Sequence, residues 1–280
     1  MAGFAGPRGS PRSSPRARQT CRRTAMRPCP AASRSRLRPS RRRGFCARSA
    51  NPSAILRPTR LPAEEQEPRM TDLVFYTNPM SRGRIVRFML EEIGVPYETR
   101  MLAYGAEMRD PAYLALNPMA KVPTLVHGQT VITEAAAICT YLACDAFPDK
   151  GLAPPAGSAE RGVFYRWMFF GAGPVEAAVT DSSLGVVIDT PQLRGRVGYG
   201  DMSSVVDTLA GLLADGRTWL LGAQFSAVDV YLGSQISWGV QFKTLEAPPE
   251  FSDYIQRLSA RHAAIRAAGL DDAAMPPPAH

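Results

Sequence analysis

Residues 117–139, NPMAKVPTLVHGQTVITEAAAIC, constrain the fold more than any other stretch. An Asn-Pro turn leads to Lys121-Val122-Pro123 at the lip of an apolar run. Proline cannot donate to a sheet ladder, so it belongs at a strand start or an edge. A cis Val122–Pro123 bond would turn the Val122 N–H and C=O towards solvent, where an extended peptide could pair with them as an added strand. A trans bond would mark an ordinary strand start. Residues 122–126 and 130–132 then read as a hairpin over His127-Gly128-Gln129. Thr133-Glu134 opens an alanine-rich helix reaching residue 146.

The segments before it alternate. Residues 73–77 (LVFYT) read as a strand. Residues 82–93 read as a helix, with Ile85, Val86, Met89, Leu90 and Ile93 on one stripe and Gly94 as its stop. Residues 97–102 form a second strand, and 106–116 an irregular or short helical connection. The order β-α-β-α-β-β-α packs as a mixed sheet with helices on its faces. Residues 149–158, rich in Pro and Gly, read as a linker. Beyond them no strand alternation appears, and helices are predicted at 159–179, 202–213 and 253–268. Between the last two, Trp219-Leu220-Leu221-Gly222 leads into Gln224-Phe225-Ser226-Ala227-Val228-Asp229. There Ser226 can cap the Asp229 N–H while the Asp229 carboxylate reaches back, with Phe225 and Val230 as a staple. Both polar residues are assigned to folding. The C-terminal MPPPAH is expected to fray.

The formal charge of +8 is unevenly placed. Residues 1–69 hold 17 Arg, no Lys and 3 Glu, a net of +14, whereas residues 70–280 hold 16 Lys+Arg and 22 Asp+Glu, a net of −6. An Arg-, Pro- and Ser-rich segment without apolar periodicity cannot bury enough surface to offset its ordering entropy, so residues 1–69 are predicted to be disordered. Three readings of it stand. It is a transit peptide, which its ten prolines oppose as a helix; a nucleic-acid arm, with only Phe4 and Phe45 for stacking; or translated sequence upstream of a start at Met70. The acidic body argues against a nucleic-acid face in residues 70–280.

No run of about 18 apolar residues exists, so no membrane span is expected. Of the five cysteines, Cys21, Cys29 and Cys46 fall in the extension and Cys139 and Cys144 on a predicted helix. None has zinc-ligand spacing, and no metal is expected. A reducing, cytoplasmic setting follows, or an organellar one if the extension is a transit peptide.

The stretches YTNPMSRGRIVRFMLEEIGVPYE (76–98), NPMAKVPTL (117–125), TEAAAI (133–138) and FSAVDV (225–230) resemble the glutathione S-transferase family in order and spacing. The likeness is to the bacterial and fungal branch with a serine in the first loop, and it spans about residues 71–268. It implies an α/β plus all-α chain: a thioredoxin-like N-terminal domain (70–148), followed after the linker by an all-helical C-terminal domain (159–280). It also implies a homodimer, glutathione as co-substrate, and small hydrophobic electrophiles as the other substrates.

Such chemistry requires the glutathione thiol to become a thiolate near neutral pH. A free thiol titrates near 8.5, and a hydroxyl hydrogen bond with a helix N-terminus can lower this by about one to two units. Ser81 precedes the first helix and is the candidate activator; its other role is to cap that helix. Arg82 falls where cysteine-type members carry Cys and is a possible thiolate stabiliser, while Asn78 replaces the tyrosine of tyrosine-type members. The resemblance makes Val122 and Pro123 the clamp on the peptide backbone and places Lys121 near the glycine carboxylate. Glu134 meets the γ-glutamyl ammonium, and the Ala135 N–H its carboxylate. The family usually follows this Glu with Ser or Thr, so Ala135 lacks one hydroxyl bond, worth about 1 kcal/mol. Tyr165 and Phe169 are the candidate hydrophobic-substrate walls, with Trp167, Phe170, Trp238 and Phe242 as further aromatics. The remaining readings are a glutathione-dependent reductase or isomerase, and a non-catalytic binding protein on the same fold.

Overall fold

The computed structural model describes residues 72–275. The predictions for residues 1–69, Met70 and the 276–280 tail lie outside the described residues.

The sheet has four strands in the order β2-β1-β3-β4: β1 Leu73–Thr77, β2 Glu98–Met101, β3 Thr124–His127 and β4 Thr130–Thr133. β1 runs parallel to β2 (Phe75 opposite Thr99) and antiparallel to β3 (Phe75 opposite Leu125). Being central, β1 is apolar on both faces, which explains why LVFYT reads as a run and not as an alternation. Helix α1, Gly83–Ile93, ends at Gly94 in the left-handed conformation, φ 69°. The predicted stripe is buried, joined by Phe88 and Arg87. Each such apolar side chain contributes about 1.5–3 kcal/mol on leaving water.

Between β2 and β3 lie a short 3₁₀ turn, Glu107–Arg109, and helix α2, Pro111–Leu114, capped by Asp110. α3, Ala135–Tyr141, passes into a wider π-type turn at Leu142–Ala146. The segment predicted as a linker overlaps a 3₁₀ turn at Pro148–Lys150, and Leu152 is buried, its carbonyl accepting from the Ala227 N–H at 2.8 Å.

The helical part holds α4 Ala159–Phe170, α5 Glu176–Ser183, α6 Pro191–Arg194, α7 Met202–Leu213, α8 Ser234–Gln241, α9 Pro249–Ser259 and α10 His262–Ala273. α4 and α5 form one rod through a π-type turn, Gly171–Val175, which contains Pro174. A proline inside a helix has no N–H for the turn before it, and the widened turn accommodates that loss. Gly171 is required there: a Cβ would lie 2.9 Å from the Tyr231 ring.

Two expectations are corrected. The long helix predicted at 253–268 is two helices, broken at Arg261, which is extended (φ −67°, ψ 136°). Its guanidinium holds the Glu92 carboxylate at 2.5 and 2.8 Å and lies 3.5 Å from the Phe225 ring centre. Those partners outweigh a continued helical ladder. At the second capping motif, the Asp229 carboxylate accepts from the Ser226 N–H at 2.9 Å as predicted, but the Ser226 hydroxyl accepts from Val228, at 3.2 Å, and not from Asp229.

α1 is gripped between the sheet and the helices. It packs against α3 and α10, and its buried Arg87 meets the buried Asp271 of α10 at 2.7 Å. This fixes where the N-terminus of α1 faces the helical part.

Candidate functional site

A cleft of about 890 Å³ opens at the N-terminal end of α1. Ser81, Arg82, Lys121 and Val122 line it from the sheet side; Val175, Glu176, Val179, Trp238 and Phe242 line it from the helices. The loop into α1 is held by Asn78, whose side chain donates to the Leu102 carbonyl at 2.8 Å and accepts from the Met80 N–H at 2.9 Å. Ser81 is half-buried. Its hydroxyl donates to the Asn78 carbonyl at 2.7 Å and accepts from the Gly83 N–H at 3.0 Å. The capping geometry is therefore present. A thiolate entering the cleft would accept the hydroxyl's hydrogen bond only if it replaced the Asn78 carbonyl.

Gly83 is demanded by this arrangement. A Cβ there would fall 1.9 Å from Thr77 Oγ1 and 2.9 Å from Ser81 Oγ. Thr77 Oγ1 is buried and has no partner among the described residues.

The Lys121-Val122-Pro123 loop is anchored from behind. The buried Asn117 donates to the Lys121 carbonyl at 2.8 Å, and the Tyr113 hydroxyl donates to the same oxygen. Both also reach Thr124 Oγ1, at 3.3 and 3.0 Å. The Val122–Pro123 bond is cis. Val122 lies outside the β3 ladder and is half-buried, whereas Pro123 is buried and Lys121 exposed. Glu134 occupies the N-cap position of α3, exposed and without a side-chain capping bond, with φ 66° and ψ 118°, a conformation uncommon for a residue with a side chain. Ala135 is the buried first residue of α3.

The cleft thus gathers Ser81, Arg82, Lys121 and Val122, while Pro123, Glu134 and Ala135 stand outside its lining. The predicted apolar walls are corrected. Tyr165 and Phe169 are exposed on α4 and do not line the cleft, and Trp167 is buried in the core. Residues further along the same rod, Val175 and Val179, line it instead. Trp238 and Phe242, the secondary candidates, do line it.

Sequence reasoning missed the polar partners on the helical side. Arg82 pairs bidentately with Glu176, through Nε and Nη2. Glu176 Oε1 also accepts from Gln235 Nε2 at 2.8 Å, and Gln235 donates to the Tyr231 hydroxyl at 3.1 Å. The Glu176 bond raises the Arg82 pKa, so its charge is permanent. No periodicity marks a pair 94 residues apart. Cys139 and Cys144 are free thiols away from the cleft, both pushed up by burial, as packing residues would be. Among the described residues no group of His, Cys, Asp or Glu could hold a metal.

Known proteins share this architecture. The family model for the N-terminal domain of glutathione S-transferases matches residues 80–144. Glutathione S-transferase GST-4.5 of Xanthomonas campestris pv. campestris is 28% identical over 203 residues, 70% of this chain and 98% of that one. The maleylacetoacetate isomerase of Pseudomonas aeruginosa is 30% identical over 194 residues, 65% of this chain and 88% of its own length. A solved theta class glutathione S-transferase from Xanthomonas axonopodis pv. citri, with glutathione bound, superposes with a TM-score of 0.54 at 30% identity. It covers 71% of this chain and 98% of that one.

Proposed function

The chain belongs to the glutathione S-transferase family, and from this we propose that it activates the glutathione thiol for attack on hydrophobic electrophiles. One observation supports the reading: one cleft is lined by a serine at a helix N-terminus, by Lys121 and Val122 before a cis proline, and by apolar side chains of the helices. Glutathione would lie along Val122, with Lys121 near its glycine carboxylate and Glu134 with the Ala135 N–H at its γ-glutamyl end. Its sulfur would then face Ser81. The hydroxyl of Ser81 turns from Asn78 to the sulfur and, with the N-terminus of α1, favours the thiolate. Val175, Val179, Trp238 and Phe242 would receive the apolar body of the electrophile.

The work fits a cytoplasmic detoxifying enzyme that acts as a homodimer. Tyr165 and Phe169, exposed one turn apart on the same face of α4, suit an assembly surface better than a substrate wall. Among the described residues no helix is long and apolar enough to cross a membrane.

The test is the ultraviolet absorbance of bound glutathione thiolate against pH, in the unsubstituted protein and in Ser81→Ala. A titration well below the free thiol, moved back by the substitution, supports the reading. A low titration unmoved by it transfers activation to Arg82 or to backbone donors. Absence of thiolate in the unsubstituted protein would leave a non-catalytic binding protein.

A further inference from the structure

Arg82 follows Ser81 in the chain, yet its side chain leaves the sheet side and crosses to α5. Nε and Nη2 are taken by Glu176, and Nη1 makes no hydrogen bond among the described residues. The side chain is 52% exposed within the cleft that Val175, Val179 and Trp238 also line. A guanidinium gripped along one edge by a carboxylate cannot pivot freely, and its other edge keeps unused donors in a fixed plane. Glu176 is itself fixed by Gln235 at 2.8 Å. The charge is thus tied to α5, beside the helical wall that Val175 and Val179 form.

We infer that Arg82 is the hydrogen-bond donor to an oxyanion that forms on the electrophile, with Glu176 as its positioning residue, so that the pair speeds attack on an enone relative to an electrophile that builds no oxyanion. This rests on the transferase reading above. In the step, the thiolate sulfur bonds to the β-carbon of the enone. The C=C π pair moves to form the enolate, and its negative oxygen lies against the free edge of Arg82. A proton from water then adds to the α-carbon, replacing the one the thiol lost on activation. A preorganised donor aimed at developing charge is among the stronger devices available to an enzyme.

The experiment compares an enone with a benzyl halide, whose reaction expels halide and builds no oxyanion on carbon-bound oxygen. The ratio of kcat/KM for the two is measured in the unsubstituted protein, Arg82→Gln, Arg82→Lys and Glu176→Gln, beside the bound-thiolate titration of each. Expected is a fall of about tenfold to a hundredfold in the enone:halide ratio for Arg82→Gln, less than the about hundredfold to thousandfold of an enclosed oxyanion donor because the site is open to water. Arg82→Lys recovers part of it. Glu176→Gln, which keeps the shape and one acceptor, shifts the ratio the same way by less. A ratio unchanged in Arg82→Gln and Glu176→Gln, with thiolate still bound, overturns this inference alone. An equal loss for both electrophiles together with a raised thiol titration also overturns it, making Arg82 a thiolate stabiliser. No bound thiolate in the unsubstituted protein overturns it through the transferase reading.

Discussion

Two serines open two helices in this molecule, and their surroundings differ. Ser226 is buried; its hydroxyl accepts from Val228 and donates to the Asp229 carboxylate at 3.2 Å. Asp229 is fully enclosed and also accepts from the N–H groups of Leu220 and Ser226 and from the Tyr254 hydroxyl, at 2.7, 2.9 and 3.0 Å. Ser81 makes a similar pair of local bonds but borders open space, and its acceptor is one neutral carbonyl. The first end is closed by a charge with no room for a ligand. The second has a hydroxyl hydrogen that an incoming anion can attract. The same residue type serves folding where its donors are all claimed by buried groups, and is available for chemistry where one partner can be exchanged.

The strongest break of this contrast is Asp229→Ala. It strands two backbone N–H groups and a buried phenol, each worth about 1–3 kcal/mol when left unpaired. Stability measured by urea unfolding should fall by about 4 kcal/mol. The thiolate titration of the molecules that remain folded should not move.

The same carboxyl yields a pH prediction. Burial raises its pKa to about 6, against the four hydrogen bonds that favour the ionised form. The unfolded value is about 3.9. The folded state therefore holds this proton more tightly than the unfolded chain does. The stabilisation is fully present below about pH 4 and is lost as pH rises through about 6, a change of about 3 kcal/mol. Unfolding free energies of the unsubstituted protein and of Asp229→Asn, compared between pH 4 and 7, isolate it. A difference that grows in favour of the unsubstituted protein with rising pH would show that the hydrogen bonds outweigh burial.

Much of this frame was legible. β1 and α7 have the predicted limits, because an apolar strand between turn residues and an amphipathic run are local patterns. The first serine and the Val-Pro loop were legible as spacing. What escaped were decisions taken at a distance. Arg261, at the break, pairs with Glu92, 169 residues away, and Arg82 pairs with Glu176 on a rod that carries Val175 and Val179 at the cleft. An aromatic cluster such as Tyr165 and Phe169 looks like a pocket wall in sequence, but which face it takes is set by that rod's packing. The Ser226 hydroxyl chose Val228 over Asp229 because the turn there already gives the Asp229 N–H the Ser226 carbonyl, at 3.0 Å.

A smaller effect sharpens the open end. Gly83→Ala places a methyl group against Thr77 and against the Ser81 hydroxyl. Overpacking of this kind costs about 1–3 kcal/mol. The methyl group meets Thr77 Oγ1 at 1.9 Å first and Ser81 Oγ at 2.9 Å second, so displacement of the Ser81 hydroxyl should also raise the titration of bound glutathione. A stability loss without that shift would mean that the loop absorbs the methyl group elsewhere and that Ser81 keeps its place.

The finest test exchanges the two serines for alanine in turn. Ser226→Ala removes a buried cap and should cost about 1–2 kcal/mol of stability with no change in the bound thiol. Ser81→Ala should cost about 1 kcal/mol, because it frees a single backbone N–H at a helix end. Its signature lies elsewhere, in a bound thiol raised by about one unit, equivalent to about 1.4 kcal/mol. Paired denaturation and ultraviolet titration of the two variants place each serine on one axis or the other. If Ser81→Ala moved stability alone, the hydroxyl would be a cap like its buried counterpart. The exchangeable partner that distinguishes the two ends would then have no chemical use, and the thiolate would rest on Arg82 or on the backbone donors of the helix N-terminus.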